Sequence, residues 1–101
     1  IYANGRRYEG TWQNDVRHGR GYERHSNNNI YIGEFLKGKA HGYGIYKWAN
    51  GEEYDGQWNQ GLRNGKGLWK GTLPNNLYVG DWYKNRAEGY GTYTWPNGKF
   101  N

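Results

Sequence analysis

The sequence predicts an all-β chain: an antiparallel meander of short β-hairpins, too thin to need a conventional core. Three observations carry this. Gly never stays away for a helical length and no apolar stripe of helical period appears in the 101 residues. Leu, Ile, Val and Phe together number 13, against 11 Tyr, 6 Trp and 18 Gly. A Tyr-x-Gly-x-aromatic pattern returns four times at a nearly constant period. So few aliphatic core-formers are expected of disordered chains. However, the net charge is only +5, and a Tyr or Trp can bury about 150–250 Å². Rings packed across glycine-backed strands can offset a chain entropy that aliphatic burial here cannot.

The elements follow in order from the repeat. Its copies begin at Tyr8, Tyr31, Tyr54 and Tyr78, spaced 23, 23 and 24 residues apart, the extra residue falling within Gly71–Asn76. Each opens with a first strand, as in Tyr54-Asp55-Gly56-Gln57-Trp58. Seven residues after each Tyr stand Asp15, Gly38, Gly61 and Asn85, types that tolerate positive φ, so a turn is expected there. A loop of roughly six residues, which contains that turn, follows the first strand and leads to Gly-x-Gly (Gly19/Gly21, Gly42/Gly44, Gly65/Gly67, Gly89/Gly91) and four or five further residues as a second strand. Asn4-Gly5, Asn50-Gly51 and Asn97-Gly98 mark hairpin turns between repeats, with Asn75-Asn76 in their place where the extra residue occurs.

Alternation assigns the faces. Tyr, Gly and Trp (or Phe35) of the first strand share one face with the glycines and with Tyr46, Trp48, Tyr93 and Trp95 of the second. Glycine in a strand interior costs about 0.5–1 kcal/mol relative to Ala. Twelve patterned glycines therefore need a packing reason, and a Trp lying over bare backbone on the neighbouring strand supplies one. The other face is expected to be polar. Glu9, Glu34, Asp55 and Asp81 on first strands face Arg20, Arg24, Lys47, Lys66 and Lys70 on second strands, which suggests cross-strand pairs.

Tyr-x-Gly-x-Trp followed by Gly-x-x-His-Gly-x-Gly at a 23-residue period resembles the MORN (membrane occupation and recognition nexus) repeat, most closely in Gly38-Lys39-Ala40-His41-Gly42-Tyr43-Gly44. The resemblance covers residues 8–100 as repeats 8–30, 31–53, 54–77 and 78–100 of one domain, 1–101, with 1–7 as the tail of a preceding repeat. The motif's His is His18 and His41, with Asn64 and Glu88 in its place in the later copies. Glu23 and His25 stand in repeat one where repeats two and four carry Tyr and Trp, and repeat three keeps Trp69 but has Gly71. Residues 14–28 are similar to the arrays of plant phosphatidylinositol-phosphate kinases. The resemblance implies a rod-like, single-layer twisted sheet that serves as a non-catalytic scaffold, takes partner peptides in an aromatic groove or associates with phosphoinositide membranes, and is intracellular and cytoplasmic.

Chemistry that the residues exclude narrows the field further. Without Cys there is no disulfide, thiol nucleophile or Cys-based zinc site. No apolar run reaches a membrane span, no signal peptide opens the chain, and the absent initiator Met is expected of an excised piece. His18 and His41 are two strands apart, about 10 Å at ~4.8 Å per strand, too far to share a metal or a proton. Gly-x-Gly recurring four times reads as packing rather than as a nucleotide loop. No enzyme, cofactor or metal is expected.

Protein or peptide binding by the aromatic face is the leading expectation, through Phe35, Tyr46, Trp48, Trp58, Trp69, Trp82, Tyr93 and Trp95. Tyr8, Tyr31, Tyr54 and Tyr78 are expected mostly to hold the sheet. Electrostatic association with anionic phospholipid is the alternative, through a row formed by Arg17, Lys37, Lys39, Arg63, Lys84 and Arg86. Nine acidic residues and the lack of a known motif argue against nucleic acid. Sheet edges at residues 1–3 and 92–100 are candidates for end-to-end self-association.

Overall fold

The computed structural model describes residues 6–95. Eight strands, β1 (Arg7–Gln13), β2 (Val16–Arg24), β3 (Ile30–Leu36), β4 (Lys39–Lys47), β5 (Glu53–Asn59), β6 (Leu62–Lys70), β7 (Leu77–Tyr83) and β8 (Arg86–Thr94), form one open sheet. Each strand pairs antiparallel with the next in chain order, so every repeat adds one hairpin to a slab of 47 × 25 × 16 Å. Asn4-Gly5, Asn97-Gly98, residues 1–3 and residues 96–100 of the expected edges lie outside the described residues; 92–94 end β8.

The turn inside each repeat is tighter than the sequence suggested. Asn14-Asp15, Lys37-Gly38, Gln60-Gly61 and Lys84-Asn85 are two-residue turns with both φ angles positive, from 48° to 85°. Such turns twist with the strands they join, so pairing resumes at once and the return strand starts three residues before Gly-x-Gly. A register shift then separates each first-strand Gly from the aromatic two residues on, opposite the positive-φ Gly19, Gly42, Gly65 or Gly89. The side chain at the intervening position repairs the ladder there: Gln57 Oε1 accepts from the Lys66 N–H at 2.7 Å and Asp81 Oδ2 from the Tyr90 N–H at 3.1 Å.

A glycine spine crosses all eight strands in register: Gly10, Gly21, Gly33, Gly44, Gly56, Gly67, Gly80 and Gly91. Tyrosine, rather than the expected Trp, lies on this spine, covering Gly21, Gly44, Gly67 and Gly91 in successive repeats. Each hydroxyl then donates to the carbonyl three residues ahead, from 2.7 Å for Tyr8 to 3.1 Å for Tyr78. The indoles do something different. Trp58 Nε1 donates to the Gly44 carbonyl at 3.0 Å and Trp82 Nε1 to that of Gly67 at 3.2 Å.

Edge-to-face ring contacts run along the array: Tyr8, Tyr31 and Tyr54 each touch the first-strand aromatic of their own repeat and of the next, and Tyr78 touches that of its own. Centroid distances are 4.9–5.4 Å, and such pairs contribute about 0.5–1.5 kcal/mol each beyond area burial. The buried hydrophobic residues are Tyr8, Tyr31, Phe35, Tyr54, Trp58 and Trp82, an entirely aromatic core.

The opposite face corrects the expectation of a polar surface. Tyr22, Ile32 and Ile45 are cross-strand neighbours there, as are Leu68 and Val79, with Asp55 between the two groups. Of the proposed cross-strand charge pairs, the ion pair formed among the described residues is Lys66–Asp81. Hydrogen bonds from Lys66 and from the Tyr90 N–H hold the Asp81 carboxyl below its ordinary value.

Candidate functional site

The candidate site is the aromatic face. Of the eight rings expected to bind a partner, Phe35, Trp58 and Trp82 are buried within the sheet. Tyr46, Trp48, Trp69, Tyr93 and Trp95 are half-buried and form its surface. Tyr46 and Trp48 touch at 4.8 Å and Tyr93 meets Trp95 edge-on at 4.9 Å, so the surface rings are themselves braced. Tyr46 further accepts from Asn29 Nδ2 at 3.1 Å.

The six basic residues divide in the same way. Lys37, Lys39, Lys84 and Arg86 are exposed at the hairpin tips. Arg17 and Arg63 are not loop residues; they sit in β2 and β6 and turn onto the aromatic face. Each lies over the first-strand ring of the next repeat, Arg17 at 5.4 Å from Phe35 and Arg63 at 4.8 Å from Trp82. Each also donates through Nη2 to a carbonyl in the next hairpin turn, Gly38 at 2.6 Å and Asn85 at 2.9 Å. The tips stack by backbone bonds as well: Gly38 N–H to Arg17 O, Gly61 N–H to Ala40 O and Asn85 N–H to Arg63 O, at 2.8–3.0 Å. His41 Nδ1 and Asn64 Oδ1 accept from the turn amides of Gln60 and Lys84. An acceptor is what that position needs in these two repeats, so Asn serves there as well as His.

Repeat one holds a feature that the sequence hinted at through Glu23 and His25. Glu23 stands in the row of rings, between Tyr8 and Tyr31, and is only 3% exposed. Arg17 and Arg6 form ion pairs with its carboxylate, the latter at 2.8 Å, and His25 Nε2 lies 3.9 Å away. His25 stacks on Tyr46 at 6.0 Å. Burial lowers its pKa from the ordinary 6.5; Glu23 opposes that and the two arginines reinforce it. Arg17, Glu23, His25, Phe35, Tyr46 and Trp58 line a groove of about 290 Å³. The alternation of faces would have found the Arg17–Glu23 pair had β2 been started at Val16.

The architecture defines a class: an open hairpin-repeat array whose one aromatic face lacks a covering layer among the described residues. The family model of the MORN repeat matches residues 8–30, 31–53, 54–72 and 78–100, and the chain belongs to the MORN repeat family. The third match stops at 72, beside the Gly71–Asn76 turn that holds the extra residue. A comparison with curated proteins returned no match. MORN repeats are membrane- or protein-interaction modules rather than catalytic units. Among the described residues no cluster of His, Cys, Asp or Glu could hold a metal, and no helix is long and apolar enough to cross a membrane.

Proposed function

We propose that this chain is a non-catalytic scaffold that binds a segment of a partner protein along its aromatic groove. One observation carries the reading: Tyr46, Trp48, Trp69, Tyr93 and Trp95 are half-buried on one face of a single-layer sheet. Such rings offer large, rigid contact area, and Trp and Tyr dominate binding hot spots. The test uses peptides selected from a random display library on this chain. Trp69→Ala and Trp95→Ala are expected to weaken their binding far more than they lower the melting temperature. Equal losses in both would make the rings structural and sink the reading.

A second reading rests on the hairpin tips, where Lys37, Lys39, Lys84 and Arg86 are exposed beside the exposed Leu36 and Tyr83. Basic and apolar groups on one edge suit an anionic bilayer surface, at about 1 kcal/mol per Lys or Arg. Co-sedimentation with phosphatidylserine vesicles at rising salt tests it, and no binding at low salt would exclude it. A cytoplasmic, peripherally membrane-associated setting suits both readings.

A further inference from the structure

Arg17 and Arg63 are the same position two repeats apart, and they differ in whether a carboxylate meets the guanidinium. Both guanidiniums lie over the next repeat's first-strand ring and both reach the next turn's carbonyl. Arg17 Nη1 then binds the buried Glu23 carboxylate. The residue at the Glu23 position in repeat three is Trp69, which pairs with Tyr54 and Tyr78 as Glu23 pairs with Tyr8 and Tyr31. Arg63 consequently has no carboxylate within ion-pair distance among the described residues, and its Nη1 is neither bonded nor buried.

Its environment makes this matter. Arg63 is half-buried, with Trp82, Trp48 and Tyr54 at 4.8, 5.6 and 5.8 Å from its guanidinium. Burial lowers its pKa from 12.5, while the nearby Tyr54 and Glu52 oppose the shift. It stays charged, because its ordinary value lies far above neutrality. Three rings stabilise a cation by their quadrupoles but do not neutralise it. Glu52, the acidic group it feels, is held at the Asn50-Gly51 turn by Asn50 Nδ2 at 3.1 Å.

We infer that the groove around Arg63 takes a partner segment whose Asp or Glu side chain, set among apolar residues, binds Arg63 as Glu23 binds Arg17. This rests on the peptide-binding reading and specifies its partner. Repeat one carries its own carboxylate; repeat three leaves the place for another chain's. Charge complementarity favours that occupant, since the chain's net charge is +5 and Arg63 is a partly desolvated cation beside three rings. A guanidinium and a carboxylate make a charge-assisted, geometrically specific pair, and the surrounding rings exclude the water that would weaken it.

The experiment selects random 16-residue display peptides on the whole chain and resynthesises the winners with each Asp or Glu changed to Asn or Gln. One carboxylate flanked by apolar residues is expected in each winner. Its amide replacement should weaken binding about tenfold or more for the wild-type chain and less than threefold for Arg63→Met. Arg63→Lys keeps the charge without the planar fork and should retain part of the dependence. Because Arg63 also braces the Asn85 turn, the peptide-side changes decide the matter on the unaltered chain even if Arg63→Met does not fold. Winners that depend on Trp69 but tolerate every amide replacement would overturn the carboxylate and leave the peptide reading standing. A selection yielding no Trp69-dependent peptide would overturn both.

Discussion

The phenol of Tyr54 lies across Gly67 with no room for a Cβ between them, while its hydroxyl donates to the Gln57 carbonyl at 2.9 Å. Ring and glycine are thus two halves of one contact, repeated four times along the sheet. Burial pushes the Tyr54 hydroxyl pKa up to about 12, although the Arg63 charge and the bond to Gln57 pull the other way.

A methyl group at Gly67 has nowhere to go, because the ring above it is held by its own hydrogen bond. Gly67→Ala is expected to cost about 3 kcal/mol, the upper part of the overpacking range. Gly61→Ala is the control: a Cβ there meets nothing within 4 Å, and φ is 85°. Its cost should be the left-handed backbone penalty alone, about 1 kcal/mol. Urea unfolding of the two variants measures the difference, and equal losses would contradict the packing role.

Glu23 is the charged residue in the buried set and balances two arginines. Glu23→Gln keeps the shape and leaves Arg17 facing a neutral amide. A loss of about 2 kcal/mol is expected, below the value for fully buried pairs because both arginines reach solvent in part. Urea unfolding at neutral pH checks it; a change below about 0.5 kcal/mol would mean that the carboxylate is not the centre of the cluster.

The same cluster sets a pH dependence. His25 has its pKa lowered in the fold, so between its folded value and 6.5 the unfolded chain binds more protons. Stability therefore rises with pH across that window and is lost as pH falls below 6.5. His25→Gln should flatten the melting temperature between pH 7.5 and 5.5. A slope unchanged in His25→Gln would assign the effect elsewhere.

Periodicity exposed much of this fold, because the repeat, the turns and the sharing of faces are local properties of the chain. Asp15, Gly38, Gly61 and Asn85 mark their turns through φ alone. The loop expected around each of them was too long because residues such as Arg17 do not announce whether they pair. Arg17 is set opposite Trp12 by the turn's twist, and nothing in its own identity says so.

The sequence by itself determined the 23-residue hairpin period, the two faces and the glycines that one face requires. Tertiary structure alone decided which rings are consumed by the sheet and which remain for a partner. Strand alternation has period two and can be counted along one chain. Burial of Trp58 depends instead on the Tyr31 and Tyr54 rings that close on it from two repeats. The contrast between Arg17 and Arg63 has the same origin: the two residues are identical, and the neighbour six residues on, Glu23 or Trp69, makes one paired and the other open.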